Sequence, residues 1–600
     1  LTKAGYLNNV AWVDLTNQQV EYKEVNGEDS RLYLGARGLG TKYVFDNGPT
    51  VEAFSPDNIV AIMTGPATGT QMPLGNRVAI VTKSPLTGTI TNSHQGGWSG
   101  PRIRWSGFDG VVVKGKATKP VYLFLEDGKL DIRDASDLWG KGVHEVVATM
   151  KERYGEKDLS VMAIGQAGEN LVKFASVINE SDRANGRGGT GAVLGSKNVK
   201  ALVIRGSQKN AVQPAQPDEH KTARQKALKL VMENPVTAPG KGGLSVYGTN
   251  VLTNILNTVS AFPAYNGKFS HFEQAEEISG EAYNEHLLVS EPTCHACPVA
   301  CKKELEVKEG KYKVRVESME YETAWAIGAM CGNANREASA YILNQCNDYG
   351  MDTIETGNTL AMAMEAFETG LIDEEIKWGD VDKMIELVEK MAFRQGLGDT
   401  LAEGAGKAAR KLGNPDLAMS VKDQSIPAYD PRGVQGIGLV YATSNRGACH
   451  VNGYTIASEI LGIPEPTDRL EHKGKGNLTK IFQDLHAFGD CMDVCKFSSF
   501  AEGADEYAEQ LATMLGKGMT AEDVFTIGER VVNLERYYNN LNGIDGKYDT
   551  LPKRFLTEAA QKHSEGAVSR LPEMLEEYYQ VRGWVDGVVP EAKLKELEII

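Results

Sequence analysis

The chain has 600 residues, 41% of them hydrophobic, enough to bury several cores and to predict about three or four domains. Its formal net charge of -16 and isoelectric point near 5.3 give a surface that repels phosphate backbones, which excludes sequence-independent nucleic-acid binding. No run of about eighteen apolar residues predicts a membrane span. Leu1-Thr-Lys-Ala-Gly-Tyr6 does not begin a charged-then-apolar signal, so the expected location is cytoplasmic.

Up to about residue 210 short β-rich runs alternate with glycine turns: Val10–Val13, Ile59–Met63, Val78–Thr82, Val111–Val113, Val121–Leu125 and Ala201–Ile204. That spacing predicts a sheet-rich first domain. Glycine gathers in Gly35-Ala-Arg-Gly-Leu-Gly40 and Gly186-Arg-Gly-Gly-Thr-Gly191, loops whose backbone N–H groups could cradle phosphate. Neither is a P-loop or a dinucleotide fingerprint, which argues against nicotinamide binding. The polar, proline-bearing stretch Gln208–Pro217 reads as a linker.

Beyond it helical periodicity takes over. Ala338, Ile342, Cys346 and Tyr349 fall on one face, ended by Gly350. Further helical patterns cover 357–369, 382–394, 399–411, 505–516 and 521–539. The expected class is α+β, with a β-rich domain over 1–210 and two mainly helical domains over 211–418 and 419–600.

Eight cysteines are too few and too scattered for a disulfide framework, which points to a reducing compartment. Three of them form Cys294-His-Ala-Cys297-Pro-Val-Ala-Cys301, and Cys495 is available downstream as a fourth. Thiolates at this spacing converge on one soft metal centre, and the compact triplet favours iron-sulfur, with tetrahedral zinc as the alternative. His295 reads as a solvated neighbour; Cys331, Cys346, Cys449 and Cys491 read mostly as buried small hydrophobes, with Cys449 and Cys491 placed to reach the cavity. Two loops echo one another, Asn347-Asp-Tyr-Gly-Met-Asp352 and Asp490-Cys-Met-Asp-Val-Cys495, each following a helical stretch.

These motifs, together with Thr82-Lys-Ser-Pro-Leu-Thr-Gly88, Ala428-Tyr-Asp-Pro-Arg-Gly433 and Asn445-Arg-Gly-Ala-Cys-His450, resemble the tungsten-containing aldehyde:ferredoxin oxidoreductases. The likeness runs nearly end to end, from Leu34-Gly-Ala-Arg-Gly-Leu39 to Leu551-Pro-Lys-Arg-Phe555 and Arg582-Gly-Trp584. It implies tungsten, or molybdenum, held by the dithiolenes of two pterins, a 4Fe-4S cluster on Cys294, Cys297, Cys301 and Cys495, and magnesium bridging the pterin phosphates. Each echoing loop would serve one pterin: Asn347, Gly350 and Asp352 on one side, Asp490 and Val494 on the other. Asn347 stands where the family has Asp, and Asp493-Val494 where it has Gly-Leu. An ionised carboxylate only accepts hydrogen bonds while an amide also donates, so Asn347 is expected to hold its pterin less strongly.

By the same resemblance Arg77 lies between pterin and cluster, and the backbone carbonyls of His94 and Ala184 match magnesium contacts. Arg183, Gly186 and Gly188 belong to the loop that approaches a phosphate. Glu322, Tyr429 and His450 map to acid/base candidates, the carboxylate taking a proton while imidazole or phenol orients the carbonyl oxygen. The implied reaction is reversible oxidation of an aldehyde to a carboxylic acid. Electrons would leave through the cluster to ferredoxin or to an iron-sulfur or flavin partner subunit. Two alternatives remain, a relative that reduces the aromatic ring of a coenzyme A thioester and a zinc-stabilised scaffold without catalysis. Archaeal relatives carry an E-x-x-H metal pair where this chain has Tyr341 and Asn344, which shifts the expectation from a metal-bridged homo-oligomer toward a hetero-complex.

Overall fold

The computed structural model describes residues 4–600; Leu1–Lys3, part of the segment read above for a signal, lie outside the described residues. The expected β-rich runs all become strands of two six-stranded sheets. In the first, β1 (Val10–Asp14), β2 (Gln19–Lys23), β3 (Val60–Met63), β4 (Val78–Lys83), β5 (Ile90–Gln95) and β6 (Gly110–Lys114) take the order β2-β1-β6-β3-β4-β5. In the second, β7 (Val121–Glu126), β8 (Lys129–Asp134), β9 (Leu159–Ala163), β10 (Val177–Asn179), β11 (Ala184–Asn185) and β12 (Val199–Arg205) take the order β11-β10-β9-β12-β7-β8. Traced from its other edge, the second sheet repeats the first strand for strand. The parallel pair recurs in place, β1 beside β6 and β7 beside β12. This duplication lies in pairing order and goes beyond the strands expected from the sequence.

Alternation along each strand decides which core a residue joins. Val60 and Ile62 of β3 meet Leu123, Leu125, Met162, Leu202 and Ile204 of the second sheet in a core between the two. Ala61 and Met63 face the other way, onto the helices Ala36–Asn47 and Ala521–Leu541. The outer face of the second sheet, with Phe124, Val161 and Val203, is covered by the helix Val143–Tyr154.

From Pro217 onward helices dominate. The stretches expected at 357–369, 382–394, 505–516 and 521–539 are the helices Thr353–Glu368, Val381–Phe393, Ala504–Leu515 and Ala521–Leu541. The helix expected over 399–411 is instead two, Leu397–Leu401 and Ala405–Leu412, because Gly404 breaks it with a left-handed φ of 90°. A three-stranded sheet, β13 (Leu288–Ser290), β14 (Glu304–Val307) and β15 (Val314–Glu317), interrupts the helices, and the cysteine triplet lies between β13 and β14. Among the described residues no helix is long and apolar enough to cross a membrane.

Candidate cofactor and active site

The echoing loops are equivalent helix ends, each docked on one sheet repeat. The helix Arg336–Tyr349 stops at Gly350 with φ 74°, and the helix Lys475–Met492 stops at Asp493 with φ 68°. Glycine reaches this left-handed conformation at little cost, and Asp is among the few other residues that visit it, so the departure at 493 preserves the turn. Ser176 N donates to Gly350 O (2.8 Å) and Asp352 N to Phe174 O (3.0 Å). In parallel, Arg77 N donates to Asp493 O (3.3 Å) and Cys495 N to Leu74 O (2.9 Å). Two glycines permit the approach: a Cβ on Gly165, after β9, would lie 2.3 Å from Tyr349 O, and one on Gly65, after β3, 2.4 Å from Met492 O.

Between this base and the helices lies a cavity of about 580 Å³. Its wall brings together Arg77, His94, Arg183, Ala184, Gly186, Asn347, Asp352, Asp490, Val494, Cys294, Cys301, Cys495, Glu322, Tyr429 and His450. Gly350, Gly188 and Cys297 are not part of that wall. Gly350 makes the turn, and Gly188, at φ 91°, lets the chain pass Thr91, whose Oγ1 would lie 2.2 Å from an added Cβ. His94 and Ala184 occupy β5 and β11, the equivalent strands of the two repeats. Asn185 Nδ2 donating to Ser93 O (2.7 Å) and Gln95 Nε2 to Arg183 O (3.0 Å) tie those strands together.

Against the chain's net negative charge, the wall collects Arg77, Arg183, Arg187, Arg446, Lys302 and Lys496. Arg187 was not singled out in the sequence, although it sits inside the glycine loop. Its guanidinium reaches Asp352 Oδ2 (2.8 Å) and Glu355 Oε2 (3.4 Å). Asp490 meets Lys496 Nζ at 2.8 Å and Arg37 Nη1 at 3.0 Å. Burial pushes its carboxyl up, but Lys496, His94 and Arg37 outweigh burial and hold it well below the usual range. Asp493 moves oppositely: burial lifts it to about 6 against the pull of His94, whose Nδ1 lies 3.0 Å from Asp493 Oδ1. His94 Nε2, Arg183 Nε and Nη2, Glu322 Oε1 and His450 Nδ1 are buried polar atoms with no hydrogen-bond partner among the described residues. Such atoms are costly unless a ligand completes them. An anionic group rich in donors and acceptors, as a phosphorylated pterin is, fits this set.

The four thiols are free. Arg77 Nη2 donates to Cys495 Sγ at 2.8 Å and feels Cys294 and Cys301 as well, while Cys297 feels Cys495 and Cys294. Burial pushes Cys297 up to about 12 and Cys301 well above the thiol range. Bound metal is what would draw such thiols into the thiolate form. Among the described residues no group of three or more His, Cys, Asp or Glu side chains is close enough to hold a single metal ion.

His295 corrects an expectation. It is buried, not solvated, because Trp98 and Trp105 cover its ring at 5.5 and 5.1 Å, and its Nε2 pairs with Thr70 O at 2.8 Å. Cys331, Cys346, Cys449 and Cys491 are buried as expected, and neither Cys449 nor Cys491 belongs to the cavity wall.

Glu322 opens the helix Tyr321–Ile327. Its Oε1 lies 3.4 Å from His450 Nε2, and its Oε2 accepts from Ala428 N at 2.8 Å. Burial pushes Glu322 up to about 8. Burial, then Arg187, Arg446 and Lys496, drive His450 well below the usual imidazole range. Beside them the Tyr429 hydroxyl is bonded to that of Tyr454 at 2.8 Å, a partner the sequence did not indicate.

A duplicated sheet base, two matching helix-end loops and a cationic cavity with three free cysteines on its wall point to a cofactor-dependent redox enzyme. Comparison with known proteins agrees. The family model for the aldehyde ferredoxin oxidoreductase N-terminal domain matches residues 10–206, and that for its domains 2 and 3 matches 222–599. The chain belongs to the aldehyde ferredoxin oxidoreductase family. It is 43% identical to the tungsten-containing aldehyde ferredoxin oxidoreductase of Pyrococcus furiosus, over 98% of each chain. It is 28% identical to the WOR-like subunit of an aliphatic sulfonate oxidoreductase of the same organism, over 99% of this chain and 97% of that one. Its fold matches the active-site complex of benzoyl coenzyme A reductase bound to 1,5-dienoyl-CoA, with a TM-score of 0.86 at 23% identity, covering 100% and 98% of the two chains.

Proposed function

We propose that this chain is a tungsten bis-pterin oxidoreductase that oxidises aldehydes to carboxylic acids, reversibly, and passes electrons to ferredoxin or to a partner electron-transfer subunit in the cytoplasm. The observation that carries the reading is one cavity in which both matching loops, three of the four cysteines (Cys294, Cys301 and Cys495) and the Glu322–His450 pair meet. When bound, the metal centre supplies two-electron oxidation and the cluster stores electrons one at a time.

Asn347 and Asp352 would hold one pterin and Asp490 and Val494 the other. The His94 and Ala184 carbonyls would be ligands for magnesium. Cys294, Cys297, Cys301 and Cys495 would hold the cluster, and Arg77, bonded to Cys495, would offer its remaining donors to the neighbouring pterin. Glu322, in its ionised form, takes the proton from water or aldehyde hydrate, and neutral His450, with the hydrogen-bonded Tyr429–Tyr454 pair beside it, orients the reacting oxygen. Lys302 and Lys496, each paired to a carboxylate, add to the cationic wall that would face the anionic cofactor. At the position of the archaeal interface metal pair, Tyr341 packs on Tyr312 with ring centroids 6.2 Å apart, a contact suited to a chain without that metal.

Elemental analysis of the anaerobically purified native protein, combined with turnover of benzaldehyde against benzoyl-coenzyme A, tests the reading. Tungsten and iron with benzaldehyde oxidation are the expected result. Zinc with neither metal, or ring reduction of the thioester, overturns it. Cys297→Ala loses iron and visible absorbance if the cluster assignment holds.

A further inference from the structure

Tyr429 and Tyr454 both line the cavity, and their rings flank His450 with centroids 5.9 and 6.3 Å away. The two hydroxyls, 2.8 Å apart, make no other hydrogen bond among the described residues. Two phenols carry two protons, and the bond between them uses one. The other is left for the cavity, on the same wall as the unpartnered Glu322 Oε1 and His450 Nδ1.

Both phenols are held from behind. Tyr441 Oη donates to Tyr429 O at 3.0 Å, Tyr454 N donates to His486 Nδ1 at 3.2 Å, and the Tyr454 ring stands edge-on to Phe500 at 6.1 Å. A donor fixed in this way needs no reorganisation as charge develops on a substrate oxygen, which is where such donors contribute most.

We propose that Tyr454 is a catalytic residue, presenting its hydroxyl to the carbonyl oxygen of the bound aldehyde, and that Tyr429 is the positioning residue that orients it; the proposal rests on the aldehyde-oxidising reading above. Burial raises both phenols and keeps them protonated as donors. Either hydroxyl could donate within the pair, and Tyr454, 8% exposed against 2% for Tyr429, is the less deeply buried of the two on the cavity wall and so the one placed to present the unspent proton. The step is a hydrogen bond, with no proton transferred: the carbonyl oxygen accepts from Tyr454 while Glu322 serves as the base.

The test compares the holoenzyme with Tyr454→Phe, Tyr429→Phe and the double variant, at matched tungsten and iron content, on a series of para-substituted benzaldehydes. Tyr454→Phe is expected to lower kcat/KM by about 100-fold, mainly in kcat, as loss of an oxyanion donor does. It also steepens the dependence on electron-withdrawing substituents, since the substrate must then supply its own polarisation. Tyr429→Phe has a smaller effect, and the double variant is no worse than Tyr454→Phe because the two act as one unit. A Tyr454→Phe enzyme within about twofold of the parent with an unchanged substituent slope, or losses that multiply in the double variant, overturns the dyad while leaving aldehyde oxidation in place. A parent enzyme that does not oxidise benzaldehyde overturns both.

Discussion

Glu322 Oε1 stands 3.4 Å from His450 Nε2, and burial makes both groups neutral in the same pH range, one as the protonated acid and the other as free imidazole. The pair is therefore not an ion pair at neutral pH. The base form of Glu322 appears as pH rises through about 8. We expect kcat/KM to climb with pH and level off above that inflection, and Glu322→Gln to abolish the inflection with a loss of about 100-fold or more. A steady-state pH profile of both enzymes checks this.

The same carboxyl has a stability signature. Its folded pKa lies above the ordinary value of 4.5, so its stabilising contribution is complete below that value and is lost as pH rises toward about 8. Glu322→Gln should melt higher than the parent at pH about 9 and no higher at pH about 4. Thermal denaturation at the two pH values is the measurement.

Arg77 Nη2 lies 2.8 Å from Cys495 Sγ, and the partly buried guanidinium has Cys294 and Cys301 around it as well. A fixed cation beside a cluster favours its reduced, more negative form. Arg77→Met should keep iron but lower the cluster potential by about 60 mV or more, the one-electron equivalent of a tenfold shift. Anaerobic titration followed by electron paramagnetic resonance reads that change. An unchanged potential would place Arg77 outside the electron path.

Gly165 and Gly65 hold the two helix-end loops against the sheet base. An added Cβ would press on backbone carbonyls at 2.3 and 2.4 Å, and neither neighbour can turn away as a side chain could. Gly165→Ala should displace the first loop, and Gly65→Ala the second. Each is expected to lower the pterin released on denaturation to well under the parent's content and to lower the melting temperature. Gly350→Ala, strained by its left-handed φ rather than by a clash of that depth, costs about 1–2 kcal/mol and retains more pterin.

Lys496 Nζ sits 2.8 Å from Asp490 Oδ1 inside the protein. Removing it leaves the carboxylate with Arg37 and His94 alone, so the depression of its pKa is partly lost. Lys496→Met should destabilise the fold by about 3–5 kcal/mol, the usual cost of breaking a buried pair from one side. The double variant Lys496→Met/Asp490→Asn should recover part of that loss in a denaturation series.

Much of this protein follows from local pattern. Alternating β-branched runs such as Val78–Lys83 become strands wherever they fold, because side-chain direction has a period of two. The spacing of Cys294, Cys297 and Cys301 confines three sulfurs to one turn-rich loop regardless of what lies around it. The matching loops were visible as well, since each carries an amide or carboxylate, Asn347 or Asp490, five residues before an Asp or Cys, Asp352 or Cys495. Tertiary structure alone decided the rest. The duplicated sheet order depends on which strands pair across long stretches of chain, and no residue type encodes that locally. His295 could not be placed under Trp98 and Trp105, nor Tyr454 against Tyr429, until distant segments packed. The working pKa values of Glu322 and His450 are of the same kind, because desolvation and neighbouring charge belong to the assembled cavity and not to either side chain.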